Sequence, residues 1–273
     1  MRILHAALFA TALLVFGQGA NAACSRPVKV AFSEISPDMT LSSSGQHGGL
    51  AVEFFKELAL RTGCTFTYVD VPRARAWYML SNKLIDIVPA AIQNPEREEV
   101  GIYFDHVVLE PVSLILFMSK PVTIASSQEV IDSGLRLAVV RGHNYGPHFA
   151  TLIANPALGE RLAQVKDPQT LARMLKAGRV DAVITMASIF TDAAKEQGLT
   201  DQVYTRTLKD LDWGSTGMYL SNSRLPAEDV ATLSAAIKAL NQEGFYGVRV
   251  KQTLKGLPDW AVQGFRFQPL EAD

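Results

Sequence analysis

Cysteine is almost missing from this chain: Cys24 and Cys64 are the only two in 273 residues. They form no CxxC pair and have no histidines clustered beside them, so the sequence spells out neither a thiol redox motif nor a cysteine-rich metal site. Histidine is scarce as well. His143 and His148 straddle Pro147 and make no helical metal pair, while His5, His47 and His106 are scattered, so no metal and no cofactor is expected. Neither sign of charge is in excess, since 26 Lys and Arg face 27 Asp and Glu for a formal net charge of −1. That balance excludes the broad basic surfaces that nucleic acid or an anionic membrane calls for. Low-complexity segments and Pro-rich linkers are missing too, which fits lobes joined by strands rather than by tethers.

The one long apolar run, Ala6 to Phe16, falls far short of the roughly 20 residues of a membrane-spanning helix. With Arg2 before it and Ala20-Asn21-Ala22 after it, the run reads as a cleaved signal peptide over residues 1–22, leaving an exported, periplasmic chain from Ala23. A lipoprotein reading, with Cys24 acylated, has Asn21 where such a motif carries an aliphatic residue. Cys24 just precedes the first expected strand and Cys64 the second. Those strands are neighbours in a doubly wound lobe, so a Cys24–Cys64 disulfide is the expectation in an oxidising compartment.

What the chain does contain is a repeat. Met79-Leu80-Ser81-Asn82-Lys83-Leu84-Ile85-Asp86-Ile87-Val88 and Met174-Leu175-Lys176-Ala177-Gly178-Arg179-Val180-Asp181-Ala182-Val183 each read as a helix end, a turn, then a buried strand opening on an aspartate. Upstream of each copy lies a short apolar strand, 28–32 and 135–140, running into a polar loop. Further strands are predicted at 65–71, 85–91, 107–117, 180–185 and 217–221, and helices at 50–61, 73–82, 168–177 and 226–241. Asn94-Pro95-Glu96 has the cap residue, the proline and the acid of a short helix start. The expected fold is α/β in two lobes, each a mainly parallel sheet with flanking helices, with a ligand cleft between them. Residues 23–118 form lobe 1, residues 119–216 lobe 2, and residues 217–273 return to lobe 1 with closing helices. Asp86 and Asp181, equivalent in the two copies, read as structural rather than as a catalytic pair.

Several elements together resemble the periplasmic solute-binding proteins of the amino-acid-binding type, bacterial extracellular solute-binding protein family 3. They are Val28-Lys29-Val30, Gly49-Leu50-Ala51-Val52-Glu53, Val71-Pro72-Arg73-Ala74-Arg75, Ile85-Asp86-Ile87-Val88, Pro95-Glu96-Arg97 with Tyr103-Phe104, Val140-Arg141-Gly142 with Tyr145-Gly146, and Gly178-Arg179-Val180-Asp181. The resemblance implies the type II two-lobed binding-protein fold. It also implies that Arg97 holds a ligand carboxylate, for which a planar guanidinium supplies two parallel donors; the plain alternative pairs Arg97 with Glu98 or Glu99 on the surface. The acid that relatives use for the ligand ammonium is replaced by Met186, flanked by Thr185 and Ala187. Either Glu34, Asp38 or Glu53 takes that role, or the ligand lacks an α-amino group. The usual aromatic after the first-loop proline is also absent, because Pro37 is followed by Asp38.

Arg73 and Arg75 either extend an anion site or form a solvated helix start, and Gln93 sits just ahead of the Arg97 turn. In lobe 2 the loop Arg141 to Gly146 offers His143, Asn144 and Tyr145, unless it is an ordinary Gly-containing turn. Trp77 reads as core more than as a ligand platform. The implied function is a monomeric, non-enzymatic receptor that closes around a small polar solute and presents it to an inner-membrane ABC permease or to a sensor partner. Relatives of this fold also serve as periplasmic dehydratases acting on cyclic amino-acid precursors, and as sensory solute-binding proteins. Both stay open as alternatives.

Overall fold

The computed structural model describes residues 24–211, 213–263 and 265–267, with backbone only at 107, 213–215 and 267. The expected signal segment, residues 1–22, lies outside the described residues. The first half runs β1 (Val28–Phe32), β2 (Thr40–Leu41), β3 (His47–Gly48), α1 (Leu50–Thr62), β4 (Phe66–Asp70), α2 (Arg73–Ser81), β5 (Ile87–Ala91), α3 (Pro95–Glu98) and β6 (Gly101–Phe117). The second half continues with α4 (Ser127–Asp132), β7 (Leu137–Val140), α5 (Pro147–Ile153), β8 (Leu162–Val165), α6 (Pro168–Lys176), β9 (Ala182–Met186), α7 (Ala187–Glu196) and β10 (Val203–Thr207). The chain closes with β11 (Trp213–Ser221), α8 (Ala227–Gln242), α9 (Phe245–Leu254), α10 (Asp259–Val262) and β12 (Arg266–Phe267).

Strand β6 joins two sheets. Its first part, Gly101 to Pro111, pairs antiparallel with β11, next to the parallel set β5, β1 and β4. From Val112 onward its partners are β9 and β10, and β9 continues through parallel pairing to β7 and β8. The partner change at Pro111 and Val112 is therefore where one sheet gives way to the other. Helices cover both faces of each sheet, as the continuous apolar runs of β5, β7 and β9 require. In lobe 1, Phe54, Phe55 and Leu58 of α1 pack with Leu233 and Ile237 of α8 on one side, and Ala76 and Leu80 of α2 pack with Val88 and Tyr219 on the other. Lobe 2 repeats the plan, with Phe149 and Leu152 on one face and Leu171, Leu175 and Phe190 on the opposite one.

The two sequence copies fold alike for a visible reason. Asp86 donates its N–H to the Lys29 carbonyl and accepts the Lys29 N–H on its carboxylate at 2.8 Å; Asp181 makes the same pair with Arg136, the returning bond being 3.0 Å. Each carboxylate also binds a guanidinium, Arg26 in lobe 1 and Arg136 in lobe 2, and Arg224 joins Asp86. These aspartates clamp a strand to its neighbour's start. The turn before each is left-handed, at Gly178 in one copy and Lys83 in the other, and Leu84 and Arg179 close it with matching bonds to Met79 and Met174.

Cys24 and Cys64 are joined by a disulfide across 40 residues, which tethers the start of β1 to the end of α1 and leaves no thiol on Cys24 for acylation. The chain end departs from the expected plan. Short α10 packs on α7 and β10 in lobe 2, where Trp260 donates its indole N–H to the Thr200 carbonyl, and β12 then pairs with Val108 and Leu109 of β6. The segment thus straps both lobes instead of serving lobe 1 alone. No described helix is long and apolar enough to cross a membrane.

Candidate functional site

A small cavity of about 50 Å³ lies where the lobes meet, beside the Pro111–Val112 crossover. Lobe 1 contributes the β1–α1 loop with Asp38, the start of α2 with Arg73, the end of β5 with Ala90, and Arg97 of α3. From lobe 2 come Gly142, His143, Asn144 and Tyr145 after β7, and Met186, Ser188 and Ile189 around the start of α7. Glu110 of β6, Leu254 at the end of α9 and Phe265 of the C-terminal strap complete the wall. An outer cleft of about 450 Å³ adjoins it and holds Ser33, Glu34, Asp70, Lys166, Asp167 and Arg173; Ile35, Arg73 and His143 line both spaces.

Arg73 stands at the first helical position after Pro72, yet it is buried rather than solvated. Its guanidinium turns inward because the Pro89 and Ala90 carbonyls at the end of β5 accept from it, both at 2.8 Å. Ala90 adopts a left-handed backbone, φ 50°, a costly conformation for a residue with a side chain. Arg97 is positioned by α3, whose N-cap Asn94 accepts the Glu96 N–H as the sequence suggested. Its guanidinium lies 3.7 Å above the Trp77 ring and donates to the Ile92 carbonyl and, across the cleft, to the Gly142 carbonyl at 3.4 Å. Trp77 also contacts Arg73 and donates its indole N–H to the same Gly142 oxygen at 3.2 Å, so it buttresses both cations from behind the cavity.

Two guanidiniums in one small cavity are an unusual load. Burial pulls the Arg73 pKa down to about 9, with Arg97 adding to the effect, and burial takes Arg97 down to about 10. Neither forms an ion pair among the described residues. The carboxyls are displaced the other way: burial lifts Asp38 to about 7 against the pull of Arg73, and lifts Glu110 to about 8 even though Ser188 donates both its N–H and its hydroxyl. His143 is driven down to about 3 by burial and by the two arginines, so it is neutral. Its Nδ1 meets the Tyr145 hydroxyl at 2.8 Å, and that hydroxyl meets Thr185 Oγ1 at 3.0 Å.

The cavity brings together Arg73, Arg97, His143, Asn144, Tyr145 and Met186 from the sequence-based set. Thr185 is fully buried behind Tyr145 and does not line the cavity. Arg75 points to solvent over the Tyr78 ring, and Gln93 is exposed and donates to the Glu98 carboxylate; neither lines the inner or the outer space. Glu34 stands in the outer cleft, its pKa raised by partial burial and by Glu196, Asp192 and Asp167, while Glu53 pairs with Arg249 on the surface. Glu110 and Ser188 were not anticipated. A lone acid inside the apolar run from Val107 to Phe117 was the available signal.

Gly142 fixes how closely the lobes approach. A Cβ there would lie 2.8 Å from both Cα and N of Ala74, and its φ of +84° is one that side chains rarely adopt. Ser36 adds a second contact between the lobes, donating to Asp192 of α7 at 2.6 Å.

Residues 28–138 match the family model of bacterial extracellular solute-binding proteins, family 3. That is the family the sequence resembles, and solved structures extend the likeness in fold over most of the chain. A histidine kinase sensor domain with similarity to periplasmic binding proteins superposes with a TM-score of 0.70 at 16% identity, covering 86% of this chain and 97% of its own. The arginine-, lysine-, histidine-binding protein ArtJ from Geobacillus stearothermophilus gives 0.69 at 16%, with coverages of 86% and 97%. An ancestral amino acid-binding protein, AncCDT-1, described as a precursor of cyclohexadienyl dehydratase, gives 0.66 at 16%, with 83% and 94%. No curated protein sequence matches significantly.

Proposed function

We infer that this chain is a periplasmic receptor that closes around a small carboxylate-bearing solute and hands it to an ABC-type importer in the inner membrane. The observation that supports this most is the pair of guanidiniums in a cavity walled by both lobes, Arg73 buried and Arg97 half-buried, neither with an ion-pair partner among the described residues. A carboxylate bound there relieves the electrostatic cost of two desolvated cations and contacts the lobe 2 loop at the same time. Its affinity is therefore greatest when the lobes are together, which is what couples binding to closure. The family match and the amino-acid-binding neighbours favour an amino acid or a related carboxylate. A thermal-shift screen of the chain from Ala23 onward against amino acids, organic acids, polyamines, sugars and oligopeptides tests the reading. Hits among amino or organic acids are expected; hits confined to sugars or polyamines contradict it.

One observation favours a second reading. Glu110 is a carboxyl buried in the cavity and protonated at neutral pH, a state suited to general-acid work of a dehydratase kind. Loss of water from a cyclic amino-acid precursor on incubation with the protein, abolished by Glu110→Gln, would support that reading over the receptor.

A further inference from the structure

We propose that Arg73 is a second anion anchor beside Arg97, so that the solute is a small dicarboxylate with no amino group. The inference rests on the receptor reading above and names the charge of its solute.

Arg73 is 5% exposed and lines the inner cavity together with Arg97. Both guanidiniums lie against the Trp77 ring, at 4.7 and 3.7 Å from its centroid, so they are close neighbours and Arg97 makes the Arg73 charge costlier still. The Pro89 and Ala90 carbonyls take two of the N–H groups of Arg73 and leave the others for a solute. Carbonyl oxygens orient a guanidinium without neutralising it, and no ion pair among the described residues does so. The backbone is bent to keep this hold, since Ala90, whose carbonyl accepts from Arg73, is the residue with the left-handed φ of 50°. An arginine that merely opened α2 would turn out to water, as Arg75 does over the Tyr78 ring.

A single carboxylate would leave one of these cations uncompensated. The acids of the cavity do not make up the difference. Glu110 accepts both the N–H and the hydroxyl of Ser188, and burial keeps a proton on it at neutral pH. Asp38 lines the same wall, but burial lifts it to about 7, so a bound anion beside it holds it in the protonated, donating form. His143 is neutral, and its buried, unpartnered Nε2 adds a hydrogen-bonding atom without adding charge. Charged groups of the outer cleft are occupied with one another, Lys166 and Arg173 with Asp167, while Asp70 bonds His47. Two carboxylates, one on each guanidinium, therefore balance the cavity. An ammonium finds no ionised partner there, because Met186 presents only a thioether.

Matched acids test this: succinate against butyrate and glutarate against pentanoate, titrated calorimetrically at neutral pH into the chain from Ala23 onward and into its Arg73→Gln variant. The wild type should prefer the dicarboxylate of each pair by about 30-fold or more, the scale of one buried charge pair. Arg73→Gln should bring the members of each pair within about threefold of each other. Equal or tighter binding of the monocarboxylates by the wild type overturns the second anchor while leaving the receptor reading intact, and needs no variant to fold. So does an undiminished preference in Arg73→Gln. Aspartate should bind no more tightly than succinate, and tighter binding of aspartate overturns the absence of an amino group. Failure of all these acids, with hits among other amino or organic acids in the wider screen, overturns this inference alone. Hits confined to sugars or polyamines overturn the receptor reading with it.

Discussion

Gly142→Ala separates the contact between the lobes from the fold of either lobe. The added methyl would sit 2.8 Å from the Ala74 Cα and N, whereas carbon atoms settle at about 3.5–4 Å, so the loop and α2 must part by about 0.7 Å or more. The Gly142 carbonyl then moves away from Trp77 Nε1 and the Arg97 guanidinium, now at 3.2 and 3.4 Å, and both bonds pass the usable range. One neutral and one charge-assisted bond across the cleft amount to about 2–4 kcal/mol against the form with the lobes in contact. A solute that needs both lobes should bind about 30- to 800-fold more weakly. The left-handed backbone at position 142 adds about 1 kcal/mol of strain, and Gly178→Ala controls for it. Gly178 has a φ of +63°, but a Cβ there meets nothing within 4 Å. Calorimetric titration should show weakened binding in Gly142→Ala and wild-type binding in Gly178→Ala. Binding by Gly142→Ala within about threefold of wild type would refute the reasoning.

Other variants probe the frame and the site. Replacing Cys24 and Cys64 by serine should cost about 4 kcal/mol in urea unfolding, from the chain entropy of a 40-residue loop, and reductant should do the same to the wild type but not to the variant. Asp86→Ala strands Arg26 and Arg224 beside a buried strand start and should cost about 3–5 kcal/mol; a loss under 1 kcal/mol would mean that water replaces the carboxylate freely. Asp38→Asn should alter the pH dependence in a defined sense. With a folded pKa near 7 against an ordinary 3.8, the native state holds a proton that the unfolded chain has lost between those values, so wild-type stability falls as pH rises through that window. Asn does not titrate, so the melting temperature of the variant minus that of the wild type should grow from pH 4 to pH 7 and then level off. A difference independent of pH contradicts the burial of that carboxyl.

Local sequence carried the repeated helix–turn–strand units because their determinants are local: the apolar period, the left-handed turn and the strand-opening aspartate all lie within ten residues of each other. What it could not carry were features fixed by distant partners. Helix α7 starts at Ala187 with no capping side chain of its own, since Glu110, 78 residues earlier, accepts the Ser188 N–H in its place. Arg73 and Arg75 look interchangeable in the string, yet one is drawn inward by carbonyls at the end of β5 while the other stacks on Tyr78 one helical turn along. The length of β6 was legible only from Val107 onward, because Gly101 to His106 show no two-residue alternation and are held as strand by pairing with the distant β11. The C-terminal strap lacks a periodic pattern altogether. Its position depends on one indole, Trp260, finding the core of lobe 2.

The central claim is that a carboxylate is held by Arg73 and Arg97 between the lobes, and Arg97→Ala tests it most directly. The wild type with the best solute of the screen at 100 times its dissociation constant should gain about 2.7 kcal/mol, seen as a rise in melting temperature. Arg97→Ala should melt at least as high as the wild type without solute, having shed a desolvated cation, and should show no rise with it. An equal rise in both proteins would contradict the account.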